Sequence, residues 1–233
     1  MNAGGGDAPL LRLDGISVRA GNAWPLREIT VEVPPGEALG VFGPRGSGKT
    51  ALLDVISGFL RPERGRVVLD GEDITGWSVR RVARAGVARS FQTPPFLDGT
   101  MIHEAISAAA IGRGLCARAT REAVGRALAI TGLEARVYDT GATLGPAEQR
   151  LLTLARVAAA APKLALLDEP LAGLAPEAAG LVVSALRRLD ETGVTLIVTA
   201  HDPASLRAVC AYAVLMRGGR IVGTGRPAEI RRA

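Results

Sequence analysis

Leu10 to Val18 and Glu28 to Val33 alternate apolar with polar residues, the period-two pattern of half-buried strands. Pro34-Pro35-Gly36 breaks that pattern. Glu37 to Phe42 then predicts a short buried strand, Gly43 to Gly48 a glycine-rich turn, and Lys49 to Ser57 a helix that Gly58 ends. Gly65 to Asp70 predicts a further strand, with Gly71 supplying turn chemistry.

The period changes in the middle of the chain. Met101 to Ile111, Thr120 to Thr131 and Ala147 to Ala161 carry apolar residues at helical spacing, and no segment among them alternates. Strands return at Leu164 to Asp168 and Val194 to Thr199, on either side of a predicted helix from Pro176 to Thr192. Tyr212 to Met216 and Arg220 to Val222 predict a closing hairpin turned by Gly218-Gly219. A helical segment inserted into a βαβ core is the organisation expected, without internal repeats.

Composition narrows this picture. At 233 residues, 48% hydrophobic and 22% charged, the chain can bury a core and suits one domain with a subdomain. Aromatics at 3% argue against a stacking platform for single-stranded nucleic acid. The net charge of +5 is spread along the chain without a block of like charges, so no nucleic-acid partner is expected. A basic surface meeting nucleotide phosphates or anionic lipid, or plain arginine-rich usage, accounts for it. Cys116 and Cys210 lack metal or redox spacing and are expected to be reduced packing residues. No stretch nears 18 uninterrupted apolar residues, and residues 1–9 have the makings of a flexible tail rather than a signal peptide. The expected place of work is the cytosol.

The strongest chemical feature is Gly43-Pro44-Arg45-Gly46-Ser47-Gly48-Lys49-Thr50, which fits G-x-x-x-x-G-K-[ST] between a predicted strand and a predicted helix. Glycines let successive backbone N–H groups curl around a phosphate, and the helix that follows points its positive end at the same anion. Lys49 can reach β- and γ-phosphate oxygens, and the Thr50 hydroxyl can ligate Mg2+. Lys49 and Lys163 are the only lysines in a chain that otherwise uses arginine. A compact ammonium suits a phosphate cradle better than a planar fork does. The second anchor is Leu164-Ala165-Leu166-Leu167-Asp168-Glu169-Pro170. Its apolar strand ends in Asp168, placed for a magnesium shell, and Glu169, placed to polarise an attacking water.

Together these segments resemble the nucleotide-binding subunits of ABC transporters, over roughly Leu10 to Arg231. Five elements stand in that family's order: the loop at 43–50, Gln92 in Ala-Arg-Ser-Phe-Gln, Leu144 to Arg150, the strand end at 166–170, and His201 in Thr-Ala-His-Asp. The resemblance implies an α/β fold: a P-loop NTPase core with a RecA-like mixed sheet, an N-terminal antiparallel β-subdomain, and an α-helical subdomain inserted at about 100–161 of a domain covering 10–233. It implies ATP and Mg2+ as ligands, Glu169 as catalytic base, His201 at the γ-phosphate, and Gln92 on Mg2+ or the lytic water, coupling the site to a membrane subunit. It implies a peripheral ATPase on the cytoplasmic face of the cell membrane. Its partners would be transmembrane permease subunits, a second ATP-binding subunit and, in a full system, a solute-binding protein. Gly86 to Thr100 and Glu169 to Glu177 are most similar to importers of branched-chain amino acids and related amides, including urea.

The pattern departs from the family in what the chain would offer a partner. The family's LSGGQ signature binds a partner's γ-phosphate through a serine hydroxyl and glycine N–H groups at a helix N-terminus. Here the segment is Leu144-Gly145-Pro146-Ala147-Glu148-Gln149. Gly145 has no hydroxyl, Pro146 has no N–H, and Ala147 adds a Cβ. Ala175 replaces the Asp or Asn usual after the second anchor. The adenine-stacking aromatic falls near Ala20, with Trp24 as its candidate substitute. Intact hydrolytic residues beside a damaged signature suggest an asymmetric heterodimer rather than a homodimer. A nucleotide-binding regulatory or assembly module is the alternative. A small-molecule kinase would share the phosphate loop but has no use for Gln92, the signature segment and His201 in this order.

Overall fold

The computed structural model describes residues 8–91 and 99–230. The first two strands, β1 (Leu11–Ala20) and β2 (Ala23–Val33), form an antiparallel hairpin, and β4 (Arg64–Leu69) and β5 (Glu72–Asp73) complete a sheet ordered β2-β1-β4-β5. The sequence signalled β2 only from Glu28, because Pro25 removes a ladder donor. β2 lies at the sheet edge, and its pairing with β1 shifts register between Val18 and Ala20, so the proline is accommodated.

The second sheet has six strands in the order β10-β9-β3-β8-β7-β6. They are β3 (Ala38–Phe42), β6 (Val87–Arg89), β7 (Leu164–Leu167), β8 (Thr195–Ala200), β9 (Tyr212–Arg217) and β10 (Arg220–Gly225). All pairings are parallel except the β9–β10 hairpin. Helices α1 (Lys49–Ile56), α2 (Val79–Ala85), α3 (Ile102–Arg113), α4 (Ala117–Thr131), α5 (Pro146–Ala159) and α6 (Pro176–Asp190) make the crossovers. The three predicted central helices correspond to α3, α4 and α5, each within a few residues at its ends. Sequence alone predicted nothing for 72–89. There α2 reads Val-Arg-Arg-Val-Ala-Arg-Ala and buries only Val82, leaving no apolar stripe to detect, and β6 is three residues long.

Two cores flank the parallel sheet because side chains alternate along each strand. Leu164 and Leu166 of β7 join Leu52, Leu53 and Ile56 of α1 and the β1–β2 hairpin on one side. Ala165 and Leu167 face the other side, with Ile106, Leu154, Ala155, Leu186 and Leu189 from α3, α5 and α6. Strands buried on both faces read as continuous apolar runs, which is why β7 and β8 were short and legible. The C-terminal ends of β3, β7 and β8, where loops must carry function in such a sheet, come together beside the start of α1.

Candidate active site

The phosphate loop hangs between β3 and α1, and its shape demands glycine at two positions. Gly43 has φ 156°, and a Cβ there would stand 2.2 Å from the Met216 carbonyl oxygen. Gly48, the residue before α1, has φ 106°, and its Cβ would meet the Pro25 carbonyl oxygen at 2.4 Å. Both contacts are impossible for any side chain. The Ser47 N–H donates to the Pro44 carbonyl at 3.2 Å, closing the turn. Pro25 therefore lies against the loop, and its neighbour Trp24 has the Arg19 guanidinium 5.8 Å from its ring centroid.

Lys49, the first residue of α1, is only 4% exposed. Its Nζ donates to the carbonyl oxygens of Gly43 at 2.8 Å and Pro44 at 3.2 Å, and lies 3.6 Å from Glu169 Oε1. The buried cation is thus tied to both halves of the site. Thr50, one residue on, is exposed, and its side chain is close enough to Asp168 to favour that residue's anion.

Asp168 and Glu169 follow β7 directly. Burial pushes the Asp168 carboxyl above its ordinary value, opposed by the Thr199 hydroxyl and by the Arg89 guanidinium. Thr199 Oγ1 donates to Asp168 Oδ1 at 2.8 Å, and an Arg89 terminal nitrogen stands 3.8 Å from Asp168 Oδ2. A carboxyl raised by folding stabilises the chain below its unfolded pKa, and that contribution is lost as pH rises through the folded value. A cation at its side would favour the carboxylate.

Glu169 adopts φ 48°, a left-handed conformation that costs a non-glycine residue about 1 kcal/mol and marks functional turns. Its N–H donates to Thr199 Oγ1 at 2.9 Å, and its Oε2 lies 2.8 Å from His201 Nε2. Lys49, Asp168, Glu169 and His201, called for by the sequence from three separate motifs, are brought within reach of one another. Glu169 is nearly buried, whereas the His201 side chain is 35% exposed at the mouth. The arrangement can neutralise phosphate charge, hold a carboxylate beside a water, and present an imidazole to the same volume.

Mg2+ fits this donor set. It characteristically takes one or two protein oxygens plus substrate phosphates rather than a cage of carboxylates. The exposed Thr50 hydroxyl beside an under-compensated Asp168 supplies those oxygens, and among the described residues no cluster of three metal-ligating side chains competes. Gln92, the third expected metal ligand, lies outside the described residues.

Three residues of the site were not anticipated. Thr199 bridges the backbone of Glu169 and the side chain of Asp168. Ser90 Oγ accepts the Asp168 N–H at 2.9 Å, and Arg89 bonds Asp54 and Ser57 of the α1 region. A signal existed: Thr199 interrupts the apolar run of β8, and a hydroxyl buried in a strand needs partners. Thr199→Val is expected to lower stability by about 2 kcal/mol, because two buried polar groups lose their partner at once. Thr199→Ser should recover most of it; thermal unfolding of the two variants checks this.

The signature segment forms the start of α5. Gly145 caps the helix with φ −70° and ψ 169°, and Pro146 occupies its first position. The Gly145 N–H already donates to Glu148 Oε2 at 2.9 Å, and Glu148 is held by Arg136. Gln149 Nε2 turns back to the Leu144 carbonyl at 3.1 Å. Only half a capping box forms, since glycine has no hydroxyl to return the bond.

Comparison with known proteins agrees with this geometry. A family model described as "ABC transporter" matches residues 26–172. The lipopolysaccharide export ATP-binding protein LptB of Acidithiobacillus ferridurans is 29% identical over 88% of this chain and 85% of its own. The branched-chain amino-acid transport ATP-binding protein BraF of Pseudomonas aeruginosa is 28% identical over 96% of this chain and 94% of its own. Among solved structures, the ADP conformation of MJ1267, an ATP-binding cassette of an ABC transporter, superposes with a TM-score of 0.87 at 26% identity, covering 94% of this chain and 92% of that one. The phosphate loop, the acidic strand end and the two-sheet fold with its helical part thus have one account: the chain belongs to the ABC transporter family, as an ATP-binding cassette.

Proposed function

We propose that this chain hydrolyses ATP from the cytoplasmic face of a membrane to drive permease subunits carried on other polypeptides. The observation that carries the reading is the convergence of Lys49, Asp168, Glu169 and His201 at the ends of β3, β7 and β8, beside a loop whose glycines admit no side chain. Lys49 and the loop N–H groups would bind phosphates, and Thr50, Asp168 and Gln92 would hold Mg2+. Bound Mg2+ would neutralise developing charge on the phosphoryl oxygens. Glu169 accepts a proton from the attacking water, while His201, hydrogen-bonded to Glu169, fixes its direction. Among the described residues no helix is long and apolar enough to cross a membrane, which fits a motor that drives separate spanning subunits.

The proposed solute class is branched-chain amino acids or related amides, taken in with the help of a solute-binding protein. It rests on Gly86–Thr100 and Glu169–Glu177 and on the likeness to BraF. Likenesses of similar size extend to LptB and to the Fe(3+) import protein FbpC of Streptomyces coelicolor, so uptake by the reconstituted transporter decides the solute. The start of α5 favours an asymmetric heterodimer: this chain's phosphate loop would be completed by a partner's intact signature, and the opposite site would be weak.

The test is steady-state MgATP hydrolysis by the purified chain and by the chain in its transporter. Lys49→Ala is expected to abolish both nucleotide binding and turnover. Phosphate release at an unchanged rate in that variant would refute the proposed site.

A further inference from the structure

The short helix α2 is built against its own electrostatics. It holds Arg80, Arg81 and Arg84 and no acid, and all three arginines are exposed. Arg80 and Arg84 stand one turn apart, where like charges repel. Two of the three cations lie in the first turn, at the positive end of the helix macrodipole. Among the described residues the Arg80 and Arg84 side chains have no hydrogen bond or ion pair. Arg81 reaches Glu72 at 3.7 Å, and an exposed pair of that length is worth little.

Folding adds to this cluster what the sequence keeps apart. Arg61 joins it from the segment after α1: a Cβ on Gly76 would stand 3.2 Å from Arg61 Nε, so this side chain lies on the turn that leads into α2. Arg61 is also exposed, and its side chain has no partner among the described residues. Two aromatic rings lie at the same surface. The Arg81 guanidinium is 3.3 Å from the Trp77 ring centroid. Phe59 is 52% exposed, and its neighbour Gly58 lies so close that a Cβ there would stand 2.7 Å from the Trp77 carbonyl oxygen. Four guanidinium groups and two aromatic rings are thus gathered around Glu72, the one carboxylate within ion-pair distance of any of them.

This composition fits a lipid surface better than a single charged ligand. Cations spread over an open helix face suit many separate headgroup anions, whereas one carboxylate would leave most of them unpaired. Aromatic rings beside arginines seat at the level of the headgroups, with the ring toward the acyl boundary.

We propose that the α2 face, with Arg61, Arg80, Arg81, Arg84 and Trp77, docks on the headgroups of an anionic membrane. The inference deepens the reading that the chain works at a membrane, and gives the chain a hold on the bilayer of its own.

The test is co-sedimentation of the full chain with vesicles of phosphatidylcholine, alone or mixed with phosphatidylglycerol. Binding is expected on the mixed vesicles only, and it should weaken as salt is raised. The triple variant Arg80→Gln, Arg81→Gln, Arg84→Gln should lose about 100-fold in affinity, at the contribution each arginine makes near an anionic surface. Arg118→Gln, Arg121→Gln, Arg126→Gln removes the same charge from the exposed side of α4 and should leave most of the binding in place. Trp24→Phe leaves Trp77 as the one indole, whose emission should shift to the blue on the mixed vesicles. No binding, equal binding to neutral vesicles, or binding that survives the α2 variant overturns the proposal. Equal losses in the two triple variants do so too, since net charge alone would then account for the effect, and so does an unshifted Trp77 on bound vesicles. Equal affinity for duplex DNA with the same dependence on the α2 arginines would make the face a general polyanion site and also overturn it. Lys49→Ala separates the two readings: it should abolish MgATP binding and leave vesicle binding as it was.

Discussion

Glu169→Gln is expected to reduce MgATP turnover by about 10^2- to 10^4-fold while leaving nucleotide affinity close to unchanged. The substitution keeps the side chain's size and can still accept from His201, yet it removes the basic oxygen that takes the water's proton. Binding is spared because the phosphate contacts come from the loop and Lys49, whose Nζ is held chiefly by the Gly43 and Pro44 carbonyls and only at 3.6 Å by Glu169. Single-turnover hydrolysis alongside equilibrium nucleotide binding separates the two effects. Equal losses in both would make Glu169 a structural partner of Lys49 rather than a base. Its left-handed φ of 48° and its bond to Thr199 argue for the base, since strain is retained at a turn that fixes a side chain for chemistry.

Most of the fold was legible because its strongest signals are local. A strand buried on both faces is a short apolar run, the central helices each carry an apolar stripe, and the phosphate loop needs glycine where nothing else fits. What stayed hidden depends on distance through space. Thr199 is 30 residues from the Glu169 amide it supports, and nothing near it in sequence names that partner. Arg89 looked like one arginine among many, although it ties Asp54 of α1 to the acidic end of β7. α2 escaped because a helix with one buried residue has no periodicity to read. The expected roles of Gln92 remain a sequence argument, as that residue lies outside the described ones.

Restoring the signature is expected to have the second large effect. Gly145→Ser combined with Pro146→Gly and Ala147→Gly should raise turnover of the purified chain by about 10^2-fold or more. The change returns a hydroxyl and an N–H to the segment proposed to face a second copy's γ-phosphate, and each such donor is worth on the order of 3 kcal/mol in the transition state. Serine fits without strain. Gly145 sits at φ −70° and ψ 169°, and a Cβ there meets only Glu148 Oε2, at 3.7 Å. The hydroxyl would also complete the capping box that Glu148 already half makes through the Gly145 N–H, offsetting part of what Pro146→Gly costs the helix start. Turnover should become cooperative in ATP as two copies come to close around two nucleotides. If the unaltered chain alone already turns over at full rate and cooperatively, its segment is a working signature and the asymmetric pairing falls. If repair yields no gain in a chain that still binds ATP, the barrier to self-pairing lies elsewhere in the interface, at Ala175 or beyond, and the damaged helix N-terminus is not what selects a different partner.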